Sequence, residues 1–120
     1  MTEMASTMTP REIANQAARA IAVLNELTHG GSELSSPTDV RAIVRSLELL
    51  GQGLPQLCEQ LARFLVSQHE DGQLTNADGL DADGSVTEVI EALAAAGQAA
   101  DMMTAALTEA RTASQELAPR

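Results

Sequence analysis

Apolar residues recur every three or four positions through the middle of the chain, at Val40, Ile43, Leu47, Leu50, Leu54, Leu57, Leu61 and Phe64. The rhythm returns at Val86, Val89, Leu93, Ala96, Ala100, Met103, Leu107 and Ala110, with Leu117 in phase. A mean spacing of about 3.5 residues belongs to helices lying nearly side by side, knobs into holes. A shorter run, Ile13, Ala17, Ala20, Leu24 and Leu27, widened by Ile21, precedes both. The pattern predicts three helices, at about 10–28, 37–69 and 86–117, in one helical domain over 9–118 after a flexible N-terminal stretch at 1–8.

Start signals stand before each periodic segment. Thr9-Pro10-Arg11-Glu12 offers a capping hydroxyl, a proline suited to the first helical position and a glutamate able to reach back to the cap. Ser36-Pro37-Thr38-Asp39 repeats that logic, and Asp39 suits the positive end of the helix dipole. Ser85-Val86-Thr87-Glu88 reads as a capping box. Gly30-Gly31 is a natural stop after the first helix. Gly51, Gly53 and Pro55 argue for a break in the second, because proline removes a helical hydrogen bond and crowds the preceding turn. The leucine phase nevertheless runs straight through Leu47, Leu50, Leu54 and Leu57, so this segment reads as one kinked helix. The alternative is two helices joined at 50–54, a layout that could imitate a helix-turn-helix with Arg41, Arg45 and Arg63 nearby.

The fold class expected is therefore all-α: an antiparallel hairpin of two long helices with a shorter N-terminal helix, a three-helix bundle. The first helix is about 28 Å long at 1.5 Å per residue, against about 48 Å for the third. Part of the long hairpin is thus left with an uncovered seam, and two copies could complete a larger bundle.

Composition narrows the function more than it names one. The chain has 120 residues and a net charge of -10, and its basic residues are all arginine. An acidic surface repels phosphates and anionic lipid, so neither nucleic acid nor a membrane is an expected partner. Tryptophan and tyrosine are absent, and Phe64 is the sole aromatic residue. That suits a thin bundle whose small residues let backbones approach. Cys58 is the single cysteine, read as an inert thiol near the seam. The first nine residues lack the basic-then-apolar layout of a secretion signal, and no apolar run has the length of a membrane span, so the cytoplasm is the expected location.

The linker at 70–84 is rich in aspartate and glycine. Aligning Gly84 with the sixth position of a calcium-binding EF-hand loop makes Asp81 and Asp83 the third and fifth. It then puts Gly79 and Ile90 where the first and last acidic ligands belong, so the register fails. His69 with Glu70 and Asp71 could hold a transition metal only loosely. No nucleophilic triad or phosphate-cradling loop is present, since Gly51-Gln52-Gly53 lacks the lysine and the strand–turn–helix context. No catalytic, cofactor or metal residue is assigned, and the chain is not expected to be an enzyme.

The stretch Thr9 to Leu27, TPREIANQAARAIAVLNEL, followed by Leu49-Leu50 and Leu54-Pro55-Gln56-Leu57, resembles short, Ala-rich, acidic helical proteins of actinobacteria whose role is uncharacterised. That resemblance implies a helical fold and no particular activity. The secreted helical hairpins with a Trp-x-Gly turn match in size, but this chain has neither that turn nor a tyrosine for their export signal.

The function expected is that of a non-enzymatic assembly or adaptor protein. Leu47, Leu50, Leu54, Leu57, Leu61, Phe64, Leu93, Met103 and Leu107 would carry packing or association, with the chain itself or another protein as partner. Two other readings compete with it. One is a regulatory domain with a small-molecule pocket around Phe64, Met102 and Met103. The other is an acidic protein that occupies the surface of a basic, nucleic-acid-binding partner.

Overall fold

The computed structural model describes residues 7–31, 33–79 and 81–120. They form α1 (Pro10–Thr28), a short 3-10 turn (His29–Gly31), α2 (Pro37–Glu70) and α3 (Asp83–Ser114), with no strand among them. The all-α class holds, and the two long helices pack against each other. The chain divides into two compact units, Met1–Ser36 and Pro37–Arg120, where the pattern suggested one domain over 9–118. The stretch 1–8 lies mostly outside the described residues.

The first unit follows its sequence signals closely. The Thr9 hydroxyl accepts the Glu12 N–H at 3.1 Å, and Pro10 occupies the first turn. The helix stops at Gly30 and Gly31, both in the left-handed region at φ 75° and 74°. None of the residues of α1 is buried.

In the second unit α2 continues unbroken through Pro55 for 34 residues. Proline has no N–H, so the Gly51 carbonyl receives no helical bond from position 55. α3 starts and ends about three residues earlier than the expected 86–117. The Ser85 capping box is not used. Asp81 Oδ1 instead accepts the Asp83 N–H at 2.7 Å, so the helix begins one turn sooner. At the other end Arg41 donates to the Ser114 carbonyl at 3.3 Å, which satisfies a terminal acceptor, and Leu117 falls beyond the helix.

Between the helices the chain turns in a hydrogen-bonded loop. Gly72 (φ 72°) donates to His69 O and Gln73 donates to Gln68 O, the paired bonds of a Schellman cap. Asn76 Nδ2 donates to Asp81 O at 3.0 Å, which ties the loop to the start of α3. Ala82 and Val86 are buried there, and Leu65, Leu74 and Val89 line a small cleft beside them.

Cross-helix partners show that the hairpin is antiparallel and set its register. Arg41 meets Ser114, Glu48 meets Thr108 and Arg111, and His69 meets Asp83. The helices pack tightly at Gly51, where a Cβ would stand 2.3 Å from Thr104 Oγ1. Gly97 lies against Pro55, with a Cβ position 3.5 Å from Pro55 Cα. Small residues on one strip of each helix bring the backbones together.

Glu48 is the most enclosed side chain, at 1% exposure. Arg111 Nε donates to one carboxylate oxygen and Thr108 Oγ1 to the other at 2.8 Å, with Arg45 4.0 Å away. The hydrogen bond from Arg111 is the main reason that its pKa lies below the ordinary value. Thr108 and the charges of Arg111 and Arg45 act the same way, and burial opposes them. The carboxylate is therefore ionised in the folded hairpin at neutral pH.

Two tests follow. Gly51→Ala forces Thr104 and the helices apart and should lower stability by about 1–3 kcal/mol. Gly53→Ala, which meets nothing within 4 Å, should raise it by about 0.5–1 kcal/mol. Urea denaturation followed by circular dichroism reads both.

The second concerns acid. A group whose folded pKa is depressed adds stability that is complete above its unfolded pKa and is lost as pH falls through the folded value. Wild-type stability should therefore decline below about pH 4.5, the ordinary value for Glu48. Glu48→Gln should melt at a lower temperature near pH 7 and lose less on acidification. A variant whose acid profile parallels wild type would refute this account of Glu48.

Candidate protein-interaction face

The strip of α2 that faces α3 runs through Val44, Glu48, Gly51, Pro55, Cys58, Ala62 and Leu65, all buried or half-buried. Its spacing is the same three-four rhythm as the leucine seam, displaced by one residue. Each leucine-seam residue stands one position before a contact residue: Ile43 before Val44, Leu47 before Glu48, Leu50 before Gly51, Leu57 before Cys58, Phe64 before Leu65. One residue is a rotation of about 100° around a helix of 3.6 residues per turn. The leucine seam is therefore not the seam of the hairpin. Leu47 and Leu54 remain half-buried at its margin, while Leu50 (41% exposed), Leu57 (47%), Leu61 (49%) and Phe64 (62%) stand in solvent. Of the packing or association expected of these residues, packing against α3 is therefore not the part that Leu50, Leu57, Leu61 and Phe64 play in the hairpin.

The expected seam of α3 divides in two. Val86, Leu93, Ala100 and Leu107 lie on the strip facing α2, buried or half-buried. Val89, Ala96, Met103 and Ala110, one position before the contact residues Ile90, Gly97, Thr104 and Arg111, are exposed. In antiparallel helices, stepping back one residue turns the side chain toward the same side of the pair. The exposed rows of both helices consequently share one face of the hairpin.

That face carries no charge. On α2 it comprises the leucine seam from Val40 to Phe64. On α3 it comprises Val89, Ala92, Ala96, Ala99, Met103, Ala106, Ala110 and Ala113. Every one is apolar, in a chain of which 20% is charged. The opposite face, one residue after the contact strip, carries Arg45, Gln52, Gln56, Glu59, Arg63 and Glu70 on α2 beside Leu49 and Val66. On α3 it carries Glu91, Gln98 and Asp101. Arg63 and Glu59 form an ion pair there.

Other candidate chemistry is weaker. Met103 sits beside Gly51. Phe64 lies 13 residues further along α2, about 20 Å away along the axis, and Met102 is largely in solvent. Phe64, Met102 and Met103 therefore do not frame a common pocket. An open groove on the charged side is lined by Pro55, Cys58, Ala62, Leu93 and Gly97 instead.

His69, Asp81 and Asp83 bring one ligand atom each to within 4.8 Å of one another. They are the described residues that could hold a metal ion, one imidazole and two carboxylates. Asp83 is hydrogen-bonded to His69 Nε2, and His69 Nδ1 is buried without a partner. Sequence reasoning grouped His69 with its neighbours Glu70 and Asp71, because the closure that delivers Asp81 and Asp83 is tertiary. Ile90, the last position of the hypothetical EF-hand register, is half-buried within α3.

Glu48, Thr108 and Arg111 were also outside the expected set. Their one available signal was a second three-four strip of small residues, which the larger leucines outweighed.

No protein-family model, curated protein or solved structure matches this chain. Among the described residues, no helix is long and apolar enough to cross a membrane.

Proposed function

We propose that this chain is a non-enzymatic helical interaction or assembly protein that binds a helical partner through the uncharged face of the α2–α3 hairpin. The observation that carries the reading is the segregation of charge. Two rows of apolar side chains run along the hairpin on one side, without a single charged residue, while Arg45, Gln52, Gln56, Glu59 and Arg63 of α2 and Glu91, Gln98 and Asp101 of α3 lie on the other. Large contiguous apolar patches are rare on soluble surfaces that bind nothing. The hairpin does not need this face for its own closure, since its contact strip is separate. A helix laid along the face would meet a run of Leu50, Leu57 and Leu61 at the spacing of its own turns.

The test compares two double variants, each checked for helicity by circular dichroism. Leu57→Glu with Leu61→Glu places charge on the face, and Gln52→Glu with Gln56→Glu places it on the opposite side. Self-association is measured by light scattering coupled to size exclusion. Binding of a fluorescein-labelled Leu/Ala amphipathic helix is measured by anisotropy. The wild type and the opposite-side variant should show one or both activities, and the face variant should show neither. A wild type with neither activity, or a loss confined to the opposite-side variant, would overturn the reading.

A further inference from the structure

The relief of the uncharged face identifies the surface that fits it. α2 supplies most of the bulk, and α3 supplies methyl groups at most of the same heights, with Met103 level with Leu50 and Val89 level with Phe64 as the larger exceptions. With Pro55 beside Gly97 and Gly51 beside Met103 and Thr104, Leu57 comes level with Ala96, Leu61 with Ala92, Leu54 with Ala99 and Leu47 with Ala106. The face is thus a ridge of leucines beside a shelf of alanines. Building on the proposal that this face binds a helical partner, we propose that the partner is a second copy of this chain. The two copies are related by a two-fold axis parallel to the helices, so that α2 of each lies on α3 of the other.

The arrangement follows from how two such faces can meet. A two-fold axis in the plane of contact can run along the helices or across them. Across them, α2 would lie on α2 and α3 on α3, with ridge against ridge and a gap between the two shelves. Along them, heights are preserved and each ridge enters the other copy's shelf: Leu57 on Ala96, Leu61 on Ala92. Protein interiors close-pack, so the second arrangement is the one that fills space. Helices in contact are antiparallel throughout, as in a four-helix bundle.

Size and charge agree with this occupant. From Val40 to Phe64 the face is about 36 Å long, and two helix diameters make it about 20 Å wide. That is roughly 700 Å² per copy, close to the ~800 Å² per partner of a standard stable interface. The apolar run of α1, Ile13 to Leu27, is about 21 Å long and could cover little more than half of that length. Each chain carries a net charge of -10 but presents none of it on this face. Added salt screens the mutual repulsion and should tighten association, whereas it would weaken capture of a basic partner.

Pulsed electron paramagnetic resonance on the full chain tests the arrangement. In a Cys58→Ala background, single spin labels are placed in turn on Ser46→Cys, Gln56→Cys and Ser67→Cys, all exposed on α2. Light scattering at two salt concentrations gives the mass of each sample. The expected result is a dimer, tighter in high salt, with the same inter-label distance within a few Å at all three positions, because the two α2 helices run parallel and in register. Distances that change along α2 by about 3 Å per residue would mean the crossed axis and overturn the arrangement. A chain that stays monomeric at several hundred micromolar yet binds the labelled Leu/Ala helix would overturn the second copy as partner and leave the interaction face standing. A monomer that binds neither would overturn both.

Discussion

The close approach of α2 and α3 at Gly51 and Gly97 decides where every other side chain of the hairpin points. Without a Cβ at these positions two backbones can lie together, and the strip that runs through them becomes the contact strip. A pair of helices can share only one strip each. Once the small residues occupy it, the leucines one position earlier are turned about 100° away and cannot also face the partner helix. The apolar face is thus a consequence of the hairpin's own packing.

Charge follows the same geometry. Glu48 falls on the contact strip, where an unpaired carboxylate would be costly. Thr108 and Arg111 stand one and two turns beyond Thr104 on the facing strip of α3, in reach of both oxygens. This cluster pins the register near one end of the hairpin, and the loop bonds around Gly72, Asn76 and Asp81 pin the other. Between them the helices meet through Gly51, Pro55, Gly97 and Ala100, with Cys58, Ile90 and Leu93 as the larger side chains of the strip. A thin hairpin of this kind leaves most of its large apolar side chains unburied, which is the physical reason for reading its uncharged face as a surface that associates.

Much was legible in the chain itself. The start and stop of α1, the all-α class and the continuity of α2 through Pro55 came from caps, glycines and an uninterrupted apolar phase. These are local properties: a threonine before a proline, or a rhythm of 3.5 residues, acts within one or two turns whatever surrounds it. The alanine-rich α3 and the absence of charge from the leucine rows were also visible as pattern.

What only the tertiary structure decided is which of two equally periodic strips on α2 meets α3. Leu47, Leu50, Leu54 and Leu57 repeat with the same spacing as Val44, Glu48, Gly51, Pro55 and Cys58. Periodicity counts both alike, and hydrophobicity favours the wrong one. The choice depends on how near two backbones can come, a property of the pair and not of either helix. The same holds for His69, which meets Asp81 and Asp83 because the loop closes, and for Glu48, whose partners lie 60 and 63 residues away. Local sequence determined the helices and their apolar faces; distance between backbones determined which face is interior and which is left exposed.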